Sequence, residues 1–125
     1  MRKIVLFMSI ILLLDLIAGC AYRHTNVEKG TKWNSENPKI FLTFVDQDKA
    51  EGTISIDEEF WEIECFFGPG ERDFAIYRYG DQNGDNHLFY GEYMYKEKED
   101  TIVFVVWGGE LVGIVENFKI VMEKI

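Results

Sequence analysis

The chain has 125 residues, enough for one small domain, and its 22 acidic and 13 basic residues give a net charge of −9 at pH 7. This acidity disfavours nucleic acid and anionic membrane surfaces as partners, because both would repel the protein.

The first residues predict a signal peptide. Arg2 and Lys3 form a short basic start, and an apolar run from Ile4 to Leu14 follows. Asp15 ends this run well short of the roughly 20 apolar residues that a membrane-spanning helix needs. We therefore expect residues 1–19 to act as an export signal that is removed from the mature protein.

The residues that follow, Leu16-Ile17-Ala18-Gly19-Cys20, resemble the lipobox of bacterial lipoproteins. The resemblance implies cleavage before Cys20, a diacylglycerol on its thiol, and a lipid-anchored protein on the extracytoplasmic face of the cell membrane. The alternative is an ordinary signal peptide with a chance cysteine. With Cys20 lipidated, Cys65 is the one remaining cysteine and no internal disulfide is expected.

Residues 20–38 are predicted to form the lipid anchor and a tether, because this stretch is polar and has neither a helical nor a strand period. Trp33 is the exception in this tether. It either plugs one end of the domain or lies at the membrane interface.

Residues 39–125 read as a β domain, because short runs rich in β-branched and aromatic residues alternate with turn residues. The runs are Lys39–Val45, Gly52–Asp57, Phe60–Phe67, Arg72–Tyr79, Leu88–Tyr95, Thr101–Trp107 and Phe118–Lys124. We expect an all-β fold, an antiparallel meander of about seven or eight strands that closes into a small barrel, with a β-sandwich as the alternative. Leu111–Asn117 is an eighth strand, a helical turn or an irregular lid.

Alternation along the third run separates two faces of the predicted strand. Trp61, Ile63 and Cys65 share one face, which places the Cys65 thiol in the core. Glu62 and Glu64 share the other face, which is expected to meet water. The pair also has the spacing of two carboxylates for acid and base catalysis, but a solvated strand face explains it better.

The tyrosines suggest a ligand cavity, because small barrels either fill their interior or hold one small ligand. Two runs that we expect to be neighbours carry most of them: Tyr77, Tyr79, Tyr90, Tyr93 and Tyr95. The alternative is that a small domain without disulfides needs large aromatic side chains to bury enough surface.

The order of lipobox, short tether, Trp33, Pro38 and β-meander resembles the small lipocalin-like lipoproteins of bacteria. The resemblance implies a barrel that can bind a small apolar ligand. The Gly-x-Trp signature of lipocalins is not met, since two residues separate Gly30 from Trp33.

Catalytic groups are sparse. The histidines are His24 in the tether and His87 in a loop, and neither has a neighbouring Ser or Cys in the sequence that would form a nucleophile and base pair. We expect a non-enzymatic binding module without an obligatory cofactor, whose partner is a small apolar ligand or an envelope protein.

A second functional reading comes from Asp81, Asn83, Asp85 and Glu92, whose spacing resembles the calcium loop of EF-hands. It predicts a calcium-stabilised structural envelope protein. Asn86 replaces the usual glycine of that loop, and both flanks read as strands. The alternative is a hairpin loop in which these residues serve turn geometry alone.

Overall fold

The computed structural model describes residues 25–68, 72–81 and 86–125. Within these ranges eight strands form a closed barrel, in which each strand pairs antiparallel with its chain neighbours and β8 returns to β1. The strands are β1 Lys32–Glu36, β2 Lys39–Asp46, β3 Lys49–Ile56, β4 Glu59–Phe67, β5 Asp73–Arg78, β6 Phe89–Lys96, β7 Thr101–Gly108 and β8 Lys119–Lys124.

The predicted all-β meander is confirmed as a barrel rather than a sandwich. One boundary is wrong, because β1 lies inside residues 20–38, which were expected to be tether. Trp33 and Ser35 of β1 are buried, while the residues that alternate with them are exposed. The β domain therefore begins at Lys32 instead of residue 39.

Side chains that alternate along the strands meet inside the barrel and form its core. The largest fully buried side chains are Trp33, Phe44, Phe89, Phe104, Ile40, Leu42, Ile54, Ile63, Ile76, Leu88, Ile102 and Ile120. Cys65 is also buried, as predicted, and burial raises the pKa of its thiol well above the ordinary value. A thiol of this kind packs as a small apolar group.

One end of the barrel, called here the proximal end, is crossed by residues 25–31 before β1 begins. The Thr25 hydroxyl donates a hydrogen bond to the carbonyl of Gln47, and Val27 is buried. Trp33 lies beneath this segment with its indole N–H bonded to the Thr31 hydroxyl at 2.9 Å. Of the two positions considered for Trp33, the structure shows the first: the side chain is buried and plugs the proximal end of the barrel.

The opposite, distal end is covered by a lid, residues 109–118, that contains short 3₁₀ turns at Val112–Ile114 and Glu116–Phe118. The Leu111 N–H donates to the Leu88 carbonyl at 3.1 Å, and Val115 is buried. The ambiguous stretch is therefore a lid, and the eighth strand is β1. In the described ranges, no helix is both long enough and apolar enough to span a bilayer.

Candidate functional site

The five tyrosines do not line one cavity, because strand alternation sends them to opposite faces of the barrel. Tyr93 and Tyr95 point inward on β6, and Tyr93 is buried. Tyr77, Tyr79 and Tyr90 lie on the outer face, where Tyr79 is 58% and Tyr90 41% exposed. The predicted tyrosine-lined cavity is thus wrong in its geometry.

The barrel interior is filled by the protein's own aromatic rings. The Phe67 ring lies 5.3 Å from Phe44, 4.9 Å from Tyr93 and 6.0 Å from Phe104. Phe74 extends this stack, with its ring centroid 4.5 Å from that of Phe104. Burial is the main cause that raises the pKa of the Tyr93 hydroxyl, which therefore stays neutral.

Outside the barrel, aromatic rings form a second group that we call the outer aromatic row: Phe66, Tyr77, His87 and Tyr90. Successive ring centroids along this row are 5.9, 4.8 and 5.3 Å apart. Phe66 belongs to β4, Tyr77 to β5 and Tyr90 to β6, so the row crosses three strands of the sheet. Rings at these separations and tilts support one another and hold a defined surface shape.

Glu64 forms the charged edge of the outer aromatic row, since its register partner on β5 is Tyr77. Its carboxylate lies 3.0 Å from the Lys49 ammonium and accepts the Gly80 N–H at 2.9 Å. The Lys49 ammonium in turn lies 5.5 Å from the centroid of the Phe66 ring. This arrangement joins an ion pair to the aromatic row.

The expectation that Glu64 points to water is wrong, because the residue is only 3% exposed. Burial by itself would raise the pKa of the Glu64 carboxyl, but the Gly80 N–H and Lys49 outweigh it and hold the pKa below its ordinary value. The group is therefore an ionised structural partner. Glu62, two residues earlier on the same face, is exposed as predicted.

An ion pair that the sequence did not predict joins β5 to the lid at the distal end, beside the outer aromatic row. The Arg78 guanidinium donates two hydrogen bonds to the Glu110 carboxylate, at 2.9 and 3.0 Å. It also lies over the Trp61 ring, 5.1 Å from the centroid. The Glu110 N–H donates to the His87 carbonyl at 2.8 Å, so the lid holds the segment that carries one member of the row.

The structure describes two of the four proposed calcium ligands, Asp81 and Glu92. Asn83 and Asp85 lie outside the described residues. Asp81 is exposed just past β5, where its N–H donates to the Arg78 carbonyl at 3.0 Å. Glu92 pairs with Asp73 at the other end of β5. At about 3.4 Å per residue, Asp73 lies about 17 Å from Arg78, the last residue of β5 before Asp81.

Calcium ligands lie within about 2.6 Å of the ion, so Asp81 and Glu92 cannot share one calcium ion. Glu92 is thus excluded as the final ligand of such a loop. Among the residues that the structure describes, no group of three or more His, Cys, Asp or Glu side chains could hold a metal ion. Cys20 and His24 lie outside the described residues, and lipidation of Cys20 stays a prediction.

No protein-family model matches this chain, and no match was found among curated proteins or among solved structures. The fold and the site define its class: a small closed antiparallel β-barrel with a side-chain-filled core and an aromatic outer face.

Proposed function

We propose that this protein is an extracytoplasmic lipoprotein, anchored to the cell membrane through Cys20, that works as a non-enzymatic binding module for an envelope protein partner. The observation that supports a protein partner is the contrast between the filled interior and the aromatic outer face. Exposed tyrosine and tryptophan are the residues most enriched in the energetic centres of protein interfaces. Trp107, 60% exposed, adds to this face beside β6.

The packed rings weigh against the other expected partner, a small apolar ligand held inside the barrel. Such ligands need a cavity of several hundred Å³, but buried side chains pack against one another inside the barrel, with Phe44, Phe67 and Phe104 stacked toward its proximal end. Three clefts lined by described residues lie on the outer surface or at the proximal end. The binding surface is therefore assigned to the outside.

The state of three polar side chains supports a non-enzymatic role. Glu64 is held ionised by Lys49, which makes it a poor general acid, and His87 packs between the rings of Tyr77 and Tyr90. Cys65 is buried and its thiol pKa is raised, so it is a poor nucleophile.

The burial of Thr25 supports a direction for the proposed anchor. Thr25 is already buried at the proximal end, so only residues 20–24 are left to connect that end to a lipidated Cys20. At about 3.6 Å per residue they reach at most about 18 Å. The proximal end then faces the membrane, while the distal end and the outer aromatic row stay open to partners.

The anchor is tested by labelling cells with a fatty acid analogue. We expect label on the unmodified chain and none on Cys20→Ser. To test direction, a fluorophore is attached at Lys98→Cys on the proximal turn or at Glu58→Cys on the distal turn, and a quencher is placed on lipid headgroups. We expect stronger quenching at position 98. Label on Cys20→Ser would refute the anchor, and equal quenching would refute the orientation.

Partner binding is tested by placing a photo-reactive amino acid at Tyr79, beside the outer aromatic row. The matched control is the same probe at Phe60, which is 65% exposed on β4. We expect a cross-linked envelope protein from position 79 that is absent from position 60 and is lost in Tyr90→Ala. Equal adducts from both positions, or none from position 79, would contradict this binding surface.

A further inference from the structure

The barrel is closed by its shortest strand pairing, where β8 returns to β1. β1 pairs with β2 along its whole length, from Lys32 to Glu36. Across the seam, in contrast, the register of these two fully described strands contains only Trp33 with Lys124 and Asn34 with Glu123. The two strands therefore separate toward the distal end.

Backbone groups of β8 point toward a cleft that lies between the distal parts of β1 and β8. The Ile125 N–H crosses the seam to the Lys32 carbonyl at 2.9 Å, while the Lys124 N–H points the other way, to the Asp100 carbonyl at 3.0 Å. Backbone groups of successive residues in a strand point to opposite sides. Lys119 and Val121 thus direct their N–H and C=O groups toward β1, beyond the last pair of the seam.

The cleft has a volume of about 560 Å³ and a predominantly acidic rim. Glu36, Glu116 and Glu123 line it, with Lys119 as the basic lining residue. Val121, which is 47% exposed, gives the wall an apolar position. An open strand edge of this kind is a template for another extended backbone, and the rim favours positive side chains beside it.

We propose that this seam is a docking site for an extended, basic segment of a protein partner, which adds a short strand along the β8 edge from Lys119 to Val121. Its basic side chains lie near Glu36, Glu116 and Glu123, and an apolar side chain packs on Val121. The site is separate from the outer aromatic row and does not depend on it.

The probe is a fluorescent peptide of repeating lysine-alanine-valine-alanine, which places lysine and valine on the same face of a strand. It is added to the full processed chain in a non-ionic detergent. Binding is measured by anisotropy. One control peptide has every backbone nitrogen methylated, which keeps the charge but removes the backbone donors. A second has glutamate in place of lysine. We expect each control peptide to bind at least about tenfold more weakly than the probe.

Two protein variants test the position of the site. Val121→Pro removes the N–H that faces the seam, and Glu36→Gln removes one rim charge. We expect weaker probe binding in both, by about three- to tenfold, and no change in Glu58→Gln, an exposed control on another distal turn. Should Val121→Pro fail to fold, the peptide comparison and Glu36→Gln still decide.

Equal affinity for the probe and its N-methylated control would overturn the proposal, since plain charge attraction would then explain binding. So would an affinity unchanged in both seam variants. Failure of the peptide to bind, together with concentration-dependent self-association abolished by Val121→Pro, would assign the seam to a second copy of this chain and overturn the partner.

Discussion

The inside of the barrel and the outer face of β4–β6 are both rich in aromatic rings, yet the rings have different roles in the two regions. Inside, Phe67 and Phe104 stack 6.0 Å apart among other buried apolar groups. Outside, Phe66 lies against the Lys49 ammonium, which pairs with Glu64. The first arrangement stabilises the fold through burial, while the second leaves ring surface available to a partner.

The comparison is tested most strongly by removing one ring from each region. Phe104→Ala should lower the free energy of unfolding by about 3–5 kcal/mol, because the fully buried ring leaves a cavity among packed neighbours. Phe60→Ala removes an exposed ring, and we expect a change of less than about 0.5 kcal/mol. Chemical denaturation of both variants measures the difference. Similar losses in the two would show that the interior is not tightly packed.

Glu64 offers a second test of the outer face, because it is a buried charge on that face. Glu64→Gln should lower the free energy of unfolding by about 1–3 kcal/mol near neutral pH, since the carboxylate loses its charged hydrogen bonds to Gly80 and Lys49. Glu62→Gln, an exposed neighbour on the same face, is the control, with an expected change below about 0.5 kcal/mol.

The loss in Glu64→Gln should also depend on pH. The folded state holds the pKa of this carboxyl below the ordinary value of 4.5, so the unfolded chain takes up the proton first as pH falls. The stability that Glu64 contributes is therefore full above about pH 5 and disappears as pH drops through its folded pKa. Unfolding measured from pH 7 to pH 3 should show the two curves converging. A constant gap would contradict the assigned ion pair.

The sequence predicted the interior of β4 correctly, because alternation within one strand needs no information from elsewhere. It missed β1, whose Ser35 puts a polar residue at an inward position and so weakens the pattern; the Ser35 hydroxyl is satisfied by the Pro38 carbonyl.

Glu64 was also misplaced, and for a different reason. The Glu64 carboxylate is bonded by the Gly80 N–H, which comes from the turn after β5, a separate strand. Alternation shows which side chains share a face, but it does not show what packs over that face. The outer aromatic row was missed in the same way, since Tyr77 and Tyr90 were grouped with inward-facing Tyr93.

The smallest expected effect concerns calcium. Because Glu92 lies opposite Asp73, far along β5 from Asp81, we expect Glu92→Gln to leave the thermal midpoint unchanged relative to the parent chain, both in chelator and in millimolar calcium. Asp81→Ala is the informative comparison, since this carboxylate lies at the start of the loop. A calcium ion bound with a dissociation constant of about 1 mM would add only about 1 kcal/mol at about 5 mM calcium. A calcium-dependent rise in midpoint that disappears in Glu92→Gln would show that β6 can leave this register to bring the carboxylate to the loop, and would restore Glu92 as a calcium ligand.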